Sequence, residues 1–442
     1  MLTSMSTSTR PLSIGSDSTP SGGALPWSKV PSPKVPGNDG RRRCVADLVL
    51  QVAKSAPQAI AVSAGTKELT FGELASQSMR LAGHLSALGA GPETLVGVYL
   101  ERSFDFVVSA FAVLLAGAAY LPLDPKWPKT RFETILRNAQ APMVISRGSL
   151  AARVSGMARH TIDLDTASSA LSRRDPLARP VAVTRENLAY VIYPTGSTGE
   201  PKGVEVTQGN LLNLIFWHRN AFGITSRDRA SHMSRAGSDS SVWEIWPHLS
   251  AGATVVLVDE QASTTADLLH DWLVKERITI AFIPTLLAEP MLGRSWPAET
   301  SLRYLLTGGE ALHRYPSTGL PFTVVNNYGP AECTAVATSG TIAAAHSELA
   351  PSSPPSIGKP IANTQIRILT SDGRPVAPGQ VGEIYIAGSS VARGYRNSPQ
   401  LTSERFLRNP FSVNPNSRMY RTGDLACLLP DGQIAFRGRR DN

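Results

Sequence analysis

The sequence predicts an α/β fold that ends in a β-rich unit. Three observations carry that expectation. From Cys44 onward, apolar runs of four to seven residues alternate with segments of helical periodicity; the alternation pauses in a polar stretch around 165–185 and then resumes; and beyond about residue 345 proline, glycine and short alternating runs take over. Strands interleaved with helices pair in parallel and are covered by those helices. A chain of 442 residues has room for about three compact units, and 42% apolar with 18% charged residues is ordinary globular composition.

Taken in order, residues 1–43 come first. Ser, Thr, Pro and Gly fill 24 of the first 40 positions, too little apolar surface to offset the entropy of ordering, so this stretch reads as a disordered leader. Thr70 and Glu73 form a capping box for a helix with Leu74, Leu81, Leu85 and Leu88 on one face, and Gly89 suits its end. The apolar run Leu95–Leu100 follows. Phe106 to Leu123 is 18 residues without a charge, but Gly117 and Pro122 break it, so it reads as a buried helix (about 104–116) and a buried strand (about 119–123), not a membrane span. A helix near 130–139 and the run Met143–Ser146 come next. The second stretch of alternation runs through Tyr190–Tyr193, a helix near 210–221, Thr254–Val258, Ile278–Ile283 and Tyr304–Leu306. Gln365–Leu369, Gly382–Ile386 and Gln433–Phe436 then read as short strands.

Charge and cysteine usage narrow the function classes. The formal net charge is +8, and about half of it lies in the first 43 residues, where six basic residues stand against Asp17 and Asp39. What remains is a weak preference for anionic ligands, without the basic stripe and interleaved aromatics of a nucleic-acid binder. The start shows no charged n-region followed by an apolar run, hence no signal peptide. Cys44, Cys333 and Cys427 are too scattered for a disulfide framework or a zinc site, and a cytoplasmic location fits them.

Three constellations carry chemistry. In the run from Tyr190 to Val204, a buried strand enters a loop holding Thr195, Gly196, Ser197, Thr198 and Gly199, then Lys202 and Gly203. Glycines let backbone N–H groups converge, and hydroxyls and a lysine add donors, which together make an anion cradle suited to phosphate, although the spacing is not that of a P-loop. In the second, a strand at Thr323–Val325 ends in a tight turn, Asn326-Asn327-Tyr328-Gly329-Pro330-Ala331-Glu332, which presents an aromatic ring able to stack on a purine and a carboxylate suited to Mg²⁺. In the third, Asp424 sits in a glycine turn within Tyr420–Leu425, where it can accept from two ribose hydroxyls, and Arg439 can donate to the same sugar or a phosphate.

In this order, these segments resemble the core motifs of adenylate-forming enzymes, most closely the amino-acid-activating adenylation domains of nonribosomal peptide synthetases. Leu114–Pro125, Ile357–Pro360, Gly382–Gly388 and Val391–Tyr395 add to the resemblance, which covers about residues 44–442. It implies two doubly wound, mostly parallel sheet lobes (44–180 and 181–345) and a β-rich distorted barrel (346–438), with residues 439–442 starting a hinge. It implies that an amino acid carboxylate attacks the α-phosphate of ATP, with Mg²⁺, giving aminoacyl-AMP and pyrophosphate, and that the aminoacyl group passes to the phosphopantetheine thiol of a carrier protein. Positioning and charge stabilisation would do the catalysis. By the family pattern, the Gly196–Gly199 loop and Lys202 hold the leaving β,γ-phosphates, Thr198 and Lys202 acting with Glu332 in catalysis; Glu332 holds the metal; Tyr328 stacks on the adenine; Asp424 with Arg439 hold the ribose; and Thr195, Asn327 and Gly329 also belong to the nucleotide site.

The same resemblance places a substrate pocket. Asp239 stands where family members pair a carboxylate with the substrate ammonium, and a buried carboxylate needs such a partner. The remaining positions map to Ser240, Trp243, Ala281, Leu306, Gly308, Asn327, Ala335 and Val336, a lining similar to leucine-type pockets that implies a neutral hydrophobic amino acid. Several positions depart from the family pattern: Pro194-Thr195 for Thr-Ser, Gln208 for His, Ser238 for Phe, and Ala331 for a Thr that contacts the α-phosphate. Losing one such donor costs on the order of 10²–10³ in rate. The chain stops at Asn442, next to the family's hinge aspartate, so the lid subdomain with its lysine is expected to be missing and the chain alone to be weakly active or inactive. Two classes of function follow: an adenylation core, or a non-catalytic nucleotide- and amino-acid-binding remnant. Within the enzyme class, Asp239 separates amino-acid activation from an acyl- or aryl-acid ligase.

Overall fold

The computed structural model describes residues 44–167, 176–194, 201–344 and 353–440. Among the described residues there are two mostly parallel sheets and one antiparallel sheet. The first has seven strands: β3 (Leu95–Tyr99), β4 (Ala119–Leu123), β5 (Met143–Ser146), β6 (His160–Asp163), β7 (Leu188–Ile192), β8 (Val204–Thr207) and β18 (Gly394–Tyr395). Their order is β18-β8-β7-β4-β3-β5-β6. The second has nine: β1 (Ile60–Ala64), β2 (Lys67–Thr70), β9 (Arg229–His232), β10 (Thr254–Leu257), β11 (Ile280–Pro284), β12 (Tyr304–Gly308), β13 (Thr323–Tyr328), β14 (Thr338–Thr341) and β15 (Lys359–Pro360). They run β15-β14-β13-β12-β11-β9-β10-β1-β2. The antiparallel sheet holds β16 (Thr364–Leu369), β17 (Gly382–Gly388), β19 (Phe406–Arg408), β20 (Arg418–Leu428) and β21 (Ile434–Arg439), in the order β16-β17-β20-β19 with β21 on β20.

Local chemistry explains the elements that were expected. Thr70 caps the helix Phe71–Ala87: its side chain accepts from Glu73 N–H at 3.2 Å, and its own N–H goes to the Glu73 carboxylate at 2.8 Å. Leu74, Leu81 and Leu85 are buried on that helix. The uncharged stretch is a buried helix, Phe104–Leu115, and the buried strand β4, separated by Gly117 at φ +73°. Among the described residues, no helix is long and apolar enough to cross a membrane.

The sheets do not divide where the sequence suggested. A boundary at 180/181 would put β7 and β8 with the strands that follow them. Instead they join the first sheet, β4 pairing with β7, while β1 and β2 leave the first lobe and pair through β10 with the second sheet. Strand pairing is a long-range choice, and the local apolar pattern of a buried strand does not record its partner. The strands around the predicted motifs are also longer than expected. Asn326, Asn327 and Tyr328 close β13 as strand residues, and Asp424 lies inside β20, at a register shift beside Gly423 (φ +82°), not in a loop turn.

Candidate functional site

The residues that flank the glycine-hydroxyl sequence are held in place on both sides. Thr195, Gly196, Ser197, Thr198 and Gly199 lie outside the described residues. On the incoming side, the Arg131 guanidinium donates to the Tyr193 and Pro194 carbonyls, each at 3.2 Å, and lies 4.9 Å from the centre of the Trp127 ring. On the outgoing side, Lys202 precedes Gly203, where a Cβ would come within 2.5 Å of the Tyr193 ring. Only glycine allows that approach. The Gly203 carbonyl accepts from Arg396 N–H at 2.7 Å, and the Tyr193 hydroxyl donates to Asn138 at 2.6 Å.

The end of β13 brings the second and third constellations together. Tyr328 donates its hydroxyl to Asp424 at 2.6 Å, and Arg439 donates to the other Asp424 oxygen at 3.0 Å. Burial, with the Asp424 charge beside it, pushes the Tyr328 hydroxyl well above its usual range, so it stays a donor. Its ring lies 6.3 Å from Phe436. Gly329 is pressed against the Ala335–Ala337 backbone, where a Cβ would sit 2.6 Å from the Ala335 carbonyl oxygen. A short 3₁₀ turn, Ala331–Cys333, then presents Glu332. The Tyr395 hydroxyl donates to Glu332 Oε1 at 2.6 Å and lies 3.3 Å from the Tyr420 hydroxyl. Thr334 and Ala335 follow in the left-handed region, at φ +58° and +65°. That is costly backbone for a β-branched residue and is held by the Thr334 hydroxyl donating to the Ser390 carbonyl at 2.7 Å.

Asp239 opens the helix Asp239–Leu249, where its Oδ1 accepts from Ser240 N–H at 2.9 Å. Burial, and then the charge of Glu332, push its carboxyl up to about 6. Ser240 is tied to Ser238 through their hydroxyls at 2.6 Å. One turn on, Trp243 is buried, and its ring lies 5.1 Å from that of Phe282. The parallel register aligns Phe282 with Leu306 and Val325, and Pro284 with Gly308 and Asn327. Aligned residues of parallel strands point to the same face. Phe282, Leu306, Gly308 and Asn327 therefore share the Trp243 face, and Val336 is buried.

Ala281 does not belong with them. It aligns with Leu305 and Val324, and all three sit in the apolar cluster behind the sheet with Leu273 and Met291. A one-residue slip along a strand moves a side chain to the opposite face, so Phe282, not Ala281, lies on the Trp243 side of the sheet. Gln208, at the position noted for a His, accepts from Val45 N–H at 3.2 Å and joins two helices. The motif reading also passed over Arg131, Tyr395 and Glu244. Glu244 is buried and accepts from Met233 and Ser234 N–H at 3.0 and 2.9 Å, on the segment that leads to Asp239. Tyr395 closes a quoted motif. Glu244 closes the segment Ser238–Glu244 that carries Asp239, whereas the signal for Arg131 is spatial, since its partner Tyr193 lies 62 residues away.

A model of the AMP-binding enzyme family matches residues 49–396. The chain is 46% identical to one component of the linear gramicidin synthase of Brevibacillus parabrevis over 398 residues, 90% of this chain and 5% of that protein. It is 40% identical to surfactin synthase subunit 2 of Bacillus subtilis (strain 168), across 86% of this chain and 10% of that one. It thus spans about a tenth or less of these relatives. Among solved structures, a nonribosomal peptide synthetase superposes with a TM-score of 0.80 at 29% identity, over 90% of this chain and 43% of that one. The N-terminal subdomain of Klebsiella oxytoca NpsA, in complex with 3-hydroxybenzoyl-AMSN, shares the fold, with a TM-score of 0.77 at 24% identity over 90% of this chain and all of that one.

Proposed function

Because this chain belongs to the AMP-binding enzyme family, we propose that it is an amino-acid-activating adenylation core of the nonribosomal peptide synthetase type, acting on a neutral hydrophobic L-amino acid. The observation that carries this reading is Asp239. Its carboxyl opens a helix beside the wall of Trp243, Phe282 and Leu306; burial and the Glu332 charge raise it, hydrogen bonds from Ser240 and Ser238 pull it down, and among the described residues no cation is one of its partners. A free ammonium is the partner such a group lacks, and the apolar wall beside it suits an uncharged side chain.

In this reading the amino acid carboxylate attacks the α-phosphorus of ATP. The new acyl–phosphate bond forms as the bond to the β-phosphate oxygen breaks, and pyrophosphate leaves. Lys202, with the residues of the loop before it, would hold the phosphates; Tyr328, Asp424 and Arg439 would take the adenine and ribose. Glu332 would hold Mg²⁺. Its fit is that of one hard carboxylate: Tyr395 takes Oε1, and among the described residues no cluster of three ligand-type side chains exists, so the ion would be bound chiefly by phosphates and water. The ion would supply charge neutralisation at the phosphates. A carrier protein's phosphopantetheine thiol is the proposed acceptor, and the free, buried thiols of Cys44, Cys333 and Cys427 suit the reducing cytoplasm.

Amino-acid-dependent ATP–pyrophosphate exchange across a panel of amino acids tests the proposal. Exchange with Leu-sized apolar amino acids, lost in Asp239→Ala, supports it. Exchange that is indifferent to Asp239→Ala, or that needs an acid without an ammonium, replaces it with an acyl- or aryl-acid ligase. Stabilisation by ATP with no exchange for any acid leaves a binding remnant.

A further inference from the structure

Behind the pocket wall runs a chain of hydrogen bonds that none of the roles above uses. Trp243 Nε1–H donates to His218 Nδ1 at 2.8 Å. His218 Nε2 lies 3.2 Å from His248 Nε2, and His248 Nδ1 lies 2.9 Å from the Glu244 carbonyl oxygen. All three rings are buried: His218 is 0%, Trp243 3% and His248 4% exposed.

These contacts admit one arrangement of protons with both imidazoles neutral. An indole nitrogen only donates, so His218 Nδ1 accepts and Nε2 carries the hydrogen. That hydrogen goes to His248 Nε2, which leaves His248 Nδ1 as the N–H that donates to the Glu244 carbonyl. Each nitrogen is used once. Burial holds both rings neutral, His248 down at about 4 and His218 well below its usual value. The chain starts at the pocket wall and ends on the same helix, whose first residue is Asp239.

We propose that His218 is a positioning residue for side-chain selection: by accepting the Trp243 indole N–H, it fixes the ring that forms the amino-acid pocket wall with Phe282. This rests on the amino-acid pocket proposed above. A buried indole N–H must keep an acceptor, so the bond ties the ring to one orientation. His218 meets Trp243 edge-on, at 5.8 Å and 88°, while Phe282 packs on the ring at 5.1 Å. A wall held from two sides can discriminate by a methylene, a difference worth roughly 10–200-fold. Without the acceptor, the ring is free to tilt and that discrimination falls, while the head group stays with Asp239.

The test uses sulfamoyl-adenosine analogues of leucyl-, valyl- and phenylalanyl-adenylate, with AMP as control, titrated calorimetrically against the chain. His218→Leu is expected to shrink the ratio of best to worst analogue by about tenfold, with AMP affinity within about twofold of the parent. His218→Asn, whose amide oxygen can take the place of Nδ1, restores the ratio. In a Trp243→Phe background, His218→Leu changes the ratio no further. If His218→Leu does not fold, the Asn variant and the indole N–H resonance assigned through Trp243→Phe carry the test: that resonance should stay put in His218→Asn. Unchanged ratios in His218→Leu, or a shifted resonance and collapsed ratio in His218→Asn, overturn the proposal. A parent chain that binds AMP but none of the three analogues overturns the pocket reading, and this proposal with it.

Discussion

The Tyr328 hydroxyl donates to the Asp424 carboxylate at 2.6 Å and so joins the end of β13 to the middle of β20. With Arg439 on the other oxygen, the carboxylate is oriented before any ligand arrives. Tyr328→Phe removes one donor to a buried charged group, a loss of about 1.5–3 kcal/mol. The expected outcome is a lower unfolding midpoint and AMP affinity reduced about tenfold or more, with side-chain preference unchanged. Thermal unfolding and AMP titration check it, and an unaltered AMP affinity would count against the ribose role of Asp424.

The Asp239 carboxyl, raised from 3.8 to about 6, gives two opposite pH dependences. An ammonium ligand needs the carboxylate. Below about pH 6 a proton must leave first, so affinity for an aminoacyl-adenylate analogue should fall about tenfold per pH unit as pH drops, and level off above. For the empty protein the sign reverses. The folded state binds more protons than the unfolded chain between 3.8 and about 6, so Asp239's contribution to stability is present at low pH and is lost as pH rises through 6. Analogue titrations from pH 5 to 8, with Asp239→Ala as the flat control, decide this; a level profile for the parent chain sinks it.

Some of this was legible locally. Strands at residues 119–123 and 143–146 stand where short apolar runs are bounded by glycine, proline or polar residues, and the Thr70–Glu73 cap is a four-residue signature. Sheet membership was not legible, because β1 finds its parallel partner in β10 almost two hundred residues on. Nor was the facing of β11: Ile280-Ala281-Phe282-Ile283-Pro284 has no polar alternation to mark one side. Contacts such as Tyr395 to Glu332, or the Arg393 guanidinium on Glu93 at 2.6 and 3.2 Å, join residues 63 and 300 apart, and no window of sequence holds both partners.

Ala281 and Phe282 can be tested against each other. Phe282→Ala should widen the pocket and shift preference toward a bulkier analogue, about tenfold or more in relative affinity. Ala281→Leu adds volume to the packed cluster around Leu305 and Val324 instead. It should cost about 1–3 kcal/mol of stability and leave analogue preference alone. Denaturant unfolding set beside analogue titration separates the two, and the reverse assignment would return Ala281 to the pocket.

Glu244 holds the approach to Asp239 through two backbone donors, Met233 and Ser234 N–H, while Arg102 donates to the Met233 carbonyl and, at 2.6 Å, to that of Val258. Burial pushes its carboxyl from 4.5 up to about 7, against the pull of those donors and of Arg102. The folded state therefore binds the extra proton between those values, and Glu244's contribution is full below pH 4.5 and lost as pH rises through 7. Glu244→Gln keeps the size and one acceptor but turns an NH₂ toward a backbone N–H, which should cost about 1–3 kcal/mol. The amide does not titrate, so the stability gap between the parent and Glu244→Gln should be widest at pH 5 and narrow toward pH 8. The other titrating groups are common to both proteins and cancel in that difference. Urea midpoints at pH 5, 6.5 and 8 measure it. A gap that widens with pH would mean the carboxylate is favoured by its two backbone donors more than it is penalised by burial.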